Sequence, residues 1–324
     1  MELRELGEFG WIAGIREKFR GVPSGESLGI GDDCAVIPCG DGEALVVTTD
    51  MLIEDVHFLR AVIPPYLLGR KSLAVNLSDV ASMGAVPIAS FLSIALPGDV
   101  SAGWADRFTD GYRSLSEEFG VPLLGGDTTS SQDRIAINVT AIGRIARAKV
   151  KYRSGAREND IVYVTGYLGD SAQGLLDIRS GVYDSPFVAV HHDPHPCVNE
   201  GIWLGNQPEV HAMMDISDGI ASDLPHILEE SETGAEISIE RIPTRTTVEL
   251  AVTGGEDYQL LLTVGAGGAR RGLPGESDRI AAEYVRHFGK PLYGIGRIRS
   301  GAPDIIWSDN GEVVRPQWKG FRHF

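Results

Sequence analysis

The chain has 324 residues, 43% apolar and 23% charged, the balance of a globular protein and long enough for two domains. Its net charge of −16 argues against a nucleic-acid partner, because phosphates are bound chiefly by Lys and Arg. No apolar run reaches the roughly 18 residues of a membrane helix. The opening "MELRELGEFGWIAGIREKFRG" mixes acids with apolar residues, which suits an amphipathic helix and not a signal peptide. In "GIGDDCAVIP", residues 29–38, Asp32 and Asp33 stand side by side between a glycine turn and an apolar strand. "ALVVTT", 44–49, reads as a strand ending in Asp50, and 70–83 as a helix with Leu73, Leu77 and Val80 on one stripe. Asn76 and Asp79 share another face of that helix.

Residues 88–96 predict a buried strand, 101–119 a helix starting near Ser101, "VPLLGGDTTS" a short strand running into Gly125-Gly126, and 134–145 an alternating strand. Basic residues then cluster in "RIARAKVKYRSGAREND", in an otherwise acidic chain. A domain boundary belongs near 146–156, giving domains 1–148 and 149–324; a solvated linker explains the basic cluster equally well. The second half opens with the strand "DIVYVTG" and the turn "YLGDSAQG", whose glycines lack dinucleotide-binding spacing. A strand and helix follow in "HAMMDISDGIASDL", where Pro225 must kink the helix or begin a new one. A further strand lies in "GGEDYQLLLTV", and 265–280 is a glycine-rich, mobile connection. Elements alternate without a strict βαβ rhythm, so the expected class is α+β, with mixed sheets and helices on one face of each.

The aspartates recur where a strand or glycine turn meets the next element: Asp32, Asp33, Asp50, Asp79, Asp127, Asp215 and Asp218. Any one alone is more often a cap or turn residue, and Ser217 and Asp218 would make good helix N-caps. As a set between apolar segments they need cations or donors. Carboxylate and threonine oxygens favour magnesium, manganese or calcium over zinc, and several such ions suit phosphoryl transfer. There is no Walker motif and no protein-kinase set; "LGRKS" has the lysine and serine without the glycine loop. The amides of Gly125, Gly126 and Asp127 suit a phosphate nest. "HHDPHPC", 191–197, reads as a surface loop more readily than a zinc tract. Three cysteines, Cys34, Cys39 and Cys197, without CxxC spacing imply reduced thiols and a cytoplasmic protein.

The blocks "GIGDDCAVI", "TTDMLIEDVHF", "KSLAVNLSDVASMGAVP", "GGDTT", "RSGA", "TGYLGDSAQGL", "DISDGIASDL", "GGEDYQLLLTV" and "WKGFRHF" occur in this order. Together they resemble the thiamine-monophosphate kinase family of the aminoimidazole ribonucleotide synthetase superfamily. The resemblance implies transfer of the γ-phosphoryl of ATP to thiamine monophosphate, assisted by several Mg2+ ions. It also implies a homodimer sharing a barrel-like sheet between N-terminal domains, with the C-terminal α+β domain completing the site. By position it assigns Asp33, Thr48, Thr49, Asp50, Asp79, Asp127, Asp215 and Asp218 to magnesium. Gly126, Asp127, Arg153 and Ser217 fall to ATP, and His57, Glu256 and Phe321 to thiamine phosphate. Asp32 becomes a supporting or turn residue. Trp318 or Phe321 would face the cationic thiazolium ring. The chain departs from the family at Cys197, where arginine is usual, and at Phe321, where tyrosine occurs. The alternatives are another ATP-using enzyme of the superfamily and a non-enzymatic cation-binding protein.

Overall fold

The computed structural model describes residues 3–267, 276–318 and 320; Phe321 and residues 268–275 of the 265–280 connection lie outside them. In the first half, α1 (Leu3–Leu6) and α2 (Glu8–Phe19) precede β1 (Ala35–Pro38), β2 (Glu43–Ile53), α3 (Pro65–Ser82), β3 (Val86–Leu96), α4 (Ala102–Phe119), β4 (Leu123–Ser130) and β5 (Ala136–Ala146). The strands form one mixed sheet in the order β1-β2-β5-β3-β4. All neighbours are antiparallel except β3 and β4. Alternation drives this sheet: Ala44, Val46 and Leu52 of β2 and Ile137, Val139 and Ala141 of β5 are buried.

Helix α3 begins at Pro65, where a missing N–H costs nothing, and packs on β2 and β5 as well as on α4. The crossing with α4 is close enough to require glycines. A Cβ at Gly69 would meet the Phe108 carbonyl oxygen at 2.0 Å, and one at Gly111 the Tyr66 carbonyl oxygen at 1.8 Å. Ser101 caps α4 by accepting the Trp104 N–H at 3.1 Å.

The second half contains β6 (Ile161–Val164), α5 (Asp170–Arg179), α6 (Pro186–His192), α7 (Val198–Gly205), β7 (Val210–Asp215), α8 (Ile220–Glu230), β8 (Gly234–Ser238), α9 (Val248–Thr253), β9 (Leu260–Val264), α10 (Glu276–Phe288), β10 (Tyr293–Arg299), β11 (Ile305–Asp309) and β12 (Glu312–Val314). Its sheet runs β12-β11-β8-β10-β6-β9-β7, with β11 and β8 parallel. The two halves share a core. Leu73 and Leu77 of α3 belong to the same buried cluster as Met213 of β7 and Leu260 and Leu262 of β9. The molecule is therefore a two-domain α+β fold with mixed sheets.

Several expectations need correction. Strand β2 does not end at Asp50 but runs to Ile53, because β5 pairs with it residue for residue through Ile53–Ala136. Gly125 and Gly126 lie inside β4, paired with Phe91 and Leu92, and form no turn. Helix α8 passes through Pro225 without restarting. Glu276 to Ile280, assigned to a mobile connection, open α10. The first helix is not amphipathic against this chain: α2 buries no described side chain and exposes Trp11, Ile12 and Phe19. Nor is the basic segment simply solvated. Lys151 is buried and donates to the carbonyls of Gln207 and Val210.

Candidate active site

A cleft of about 610 Å3 opens between the two halves, lined by α3, the turn after β2, α5, the end of α6 and the loops 215–218 and 254–256. Four carboxylates from distant segments converge at one end: Asp50, Asp79 and Asp215 line the cleft, and Asp33, buried, does not. Asp33 comes from the loop before β1, Asp50 from β2, Asp79 from α3 and Asp215 from the end of β7. Strand periodicity puts Thr48 and Asp50 on one face of β2. The Thr48 hydroxyl donates to Asp79 Oδ2 at 2.5 Å, and Asn76 Oδ1 accepts the Asp50 N–H at 3.1 Å. Ser78 donates to Asp215 Oδ2 at 2.5 Å.

The group is short of positive charge. Burial, reinforced by Asp33, raises Asp50 to about 6. Burial and then Asp33 raise Asp215 to about 8. Burial and the nearby Asp50 and Asp215 push Asp79 well above the usual carboxylate range. Arg153 is the cation that reaches the cluster. Its Nε and Nη2 lie 3.0 and 2.5 Å from Asp33 Oδ1. The other oxygen of that carboxylate, Oδ2, is buried with no partner. Asp32 accepts the backbone N–H of Arg153 at 2.9 Å; burial and then Asp33 raise it to about 7.

These donors fit magnesium, the ion that the family resemblance implies. They are hard oxygens, one of them orphaned, in a group too negative for its own cations. Among the described residues no group of three or more His, Cys, Asp or Glu side chains is placed to hold a metal ion by itself. That is the normal condition for magnesium, which takes one or two carboxylates and completes its shell with water and substrate phosphate.

The other expected positions divide. Ser217, Asp218, His57 and Glu256 line the cleft. Neither Ser217 nor Asp218 caps α8; the N-cap is Gly219, and Asp223 instead accepts the Asp218 N–H at 3.1 Å. His57 Nδ1 accepts the Ile53 N–H at 3.0 Å, which fixes the turn after β2. Thr49 is not brought to the cluster: it lies on the opposite face of β2, bonded to the Val139 carbonyl and to Asn138. Gly126 and Asp127 sit on the exposed edge strand β4 and do not line the cleft. "HHDPHPC" is not a surface loop. His191 and His192 close α6, buried against the cleft, and Cys197 is buried too.

Sequence reasoning missed Lys71, Ser171 and His191, which line the far end. The signal available was the spacing Lys71, Val75, Asp79, which puts all three on one face of α3.

Comparison with known proteins agrees with this fold. Residues 31–145 match the AIR synthase related protein N-terminal domain, and residues 157–307 its C-terminal domain. The thiamine-monophosphate kinase of Escherichia coli K12 is 35% identical, with 98% of each chain covered. That of Aquifex aeolicus is 36% identical over the whole of both chains. The solved structure of AaThiL complexed with AMPPCP and TMP superposes with a TM-score of 0.82 at 31% identity, covering 100% of this chain and 99% of that one. A chain with this two-domain fold, this carboxylate-lined cleft and full-length likeness of this kind belongs to the thiamine-monophosphate kinase family of AIR synthase related proteins.

Proposed function

We propose that this protein phosphorylates thiamine monophosphate at the expense of ATP, giving thiamine diphosphate and ADP by direct in-line transfer with several Mg2+ ions. The observation that carries the reading is the convergence of Asp50, Asp79 and Asp215 on the cleft wall with Asp33 beside them, a crowd of carboxylates with Arg153 as the cation that reaches it. It is supported by a close structural relative complexed with AMPPCP and TMP.

In this reading Asp33, Asp50, Asp79, Asp215 and Asp218, with Thr48, would hold magnesium, which would supply the charge that neutralises and aligns phosphate oxygens. Thr49, Gly126 and Asp127 are assigned by resemblance alone. Arg153 and Ser217 serve ATP. The Arg153 fork is already aimed at the cluster by Asp33, and its backbone is tethered by Asp32. The acceptor is a phosphate oxygen, ionised near neutral pH, so no side chain has to remove a proton. His57, Glu256 and Phe321 hold the thiamine moiety. The buried wall of Leu52, Phe58 and Ile63 beside His57 excludes water from that part of the cleft.

The proposal includes domains 1–148 and 149–324 and a cytoplasmic homodimer with a barrel-like sheet across its N-terminal domains. Every residue of the edge strand β4 is exposed, including Leu123 and Leu124, which supports a partner there. The free thiols of Cys34, Cys39 and Cys197 suit a reducing compartment. The test is incubation with ATP, magnesium and thiamine monophosphate. Thiamine diphosphate and ADP are expected in equal amounts; a folded protein that forms neither refutes the proposal.

A further inference from the structure

Lys71 is 1% exposed, yet its ammonium stands in the wall of the cleft. The spacing Lys71, Val75, Asp79 makes one stripe along α3, with the carboxylate cluster at the Asp79 end. Eight residues of helical rise separate Lys71 from Asp79 by about 12 Å along the axis. The Lys71 Nζ donates to the His191 carbonyl and to Glu256 Oε2, both at 3.1 Å. An ammonium has three donors, and the described contacts use two. Around this pair the wall is equally defined. His191 Nδ1 lies 2.9 Å from Ser171 Oγ and 3.3 Å from Glu256 Oε2.

The backbone of Glu256 is held independently. Its φ is +63°, and Tyr258 follows at +48°, conformations that non-glycine residues keep only when their surroundings impose them. The Glu256 N–H donates to the Ser217 carbonyl at 2.7 Å, and the Tyr258 N–H to the Ile216 carbonyl at 2.9 Å. A carboxylate is thus aimed into the cleft by a fixed loop of the C-terminal half. It is secured by a buried lysine from the N-terminal half. A buried lysine is costly unless paired, and this one is paired with a single carboxylate, on the cleft wall.

We propose that Lys71 is a positioning residue for the acceptor. It holds the Glu256 carboxylate at the Lys71 end of the cleft, about two helical turns along α3 from Asp79, where that carboxylate accepts from the amine-bearing pyrimidine of thiamine monophosphate. Lys71 thereby sets selectivity for that ring. The inference rests on the kinase reading above and on Glu256 as a substrate contact.

The experiment compares thiamine monophosphate with oxythiamine monophosphate, in which an oxygen replaces the exocyclic amine. Wild type is assayed first; if it makes no thiamine diphosphate, the kinase reading fails and takes this inference with it. With active wild type, Lys71→Met raises KM for thiamine monophosphate by about tenfold or more, the loss expected when a buried charge loses its partner. It leaves KM for ATP within about twofold and narrows the preference for the amine over the oxygen analogue, while Lys71→Arg restores part of it. A merely structural lysine would lower the melting temperature and leave that preference unchanged, which overturns the proposal, as does an equal rise in KM for ATP. If Lys71→Met does not fold, Glu256→Gln decides: it keeps the shape and the lysine, and an unchanged preference overturns the proposal.

Discussion

At one end of the cleft Asp50, Asp79 and Asp215 crowd together with Asp33, which alone of the four bonds Arg153, and an Asp33 oxygen stays buried without a partner. At the other, Glu256 has Lys71 at 3.1 Å and His191 at 3.3 Å. The first end is incomplete as protein and, in the proposed function, would be finished by a cation that arrives with phosphate. The second is complete and rigid before any ligand arrives. Charge left unbalanced marks where the chemistry is supplied from outside; charge balanced across the two halves marks where shape is read.

The sharpest way to break this contrast is Asp50→Asn. The variant should lose about 10²–10³-fold in kcat, as when a group that stabilises transition-state charge is removed. Its metal-free form should melt higher than wild type, because a repelled buried charge is gone. Activity near wild type at physiological magnesium would remove Asp50 from the phosphate-binding end.

Arg153→Met should cost about 3 kcal/mol in denaturant unfolding, since it strands the buried Asp33 carboxylate. Arg153→Lys should recover part of this without the two-nitrogen contact. An unchanged midpoint would show that Asp33 is neutralised by other means.

The next test uses pH. Asp215 is raised from 3.8 to about 8, so the folded state binds the extra proton across that interval. Its contribution to the stability of the metal-free protein is therefore present at low pH and lost as pH rises toward 8. In chelator, the melting advantage of Asp215→Asn over wild type should grow over this range, and magnesium should erase it by stabilising wild type. An advantage that shrinks with rising pH would contradict the crowding.

The smallest effect is expected at Cys197, where the family resemblance leads to an expectation of arginine. Its thiol lies 3.6 Å from both Thr165 Oγ1 and Gln259 Oε1, and burial holds it up at about 11. Cys197→Ala should cost about 1 kcal/mol or less and keep KM for both substrates, because the thiol sits in the shared core and outside the cleft lining. A large change in KM would extend the site to this position.

Local chemistry made much of this readable. The Ser101 cap of α4, the alternation of β5 and the Leu73–Leu77–Val80 stripe of α3 each depend on residues a few positions apart. Gly125-Gly126 misled because two glycines suggest a turn, whereas the pairing of β4 with β3 holds them extended. His191 and His192 misled because the prolines after them suggest a loop; α6 is packed against α5 before those prolines begin.

By itself the sequence determined the family, the α+β class, and the carboxylates and helix faces that carry chemistry, because these follow from residue type, order and short-range spacing. Only the tertiary structure decided which of them meet. It put Thr48 at the cluster and Thr49 on the opposite face, and it left Asp127 on an exposed edge strand. It joined Lys71 to Glu256 across 185 residues. The periodicity of an element sets the face on which a side chain stands, but its partner there is chosen by long-range packing, which no local pattern encodes.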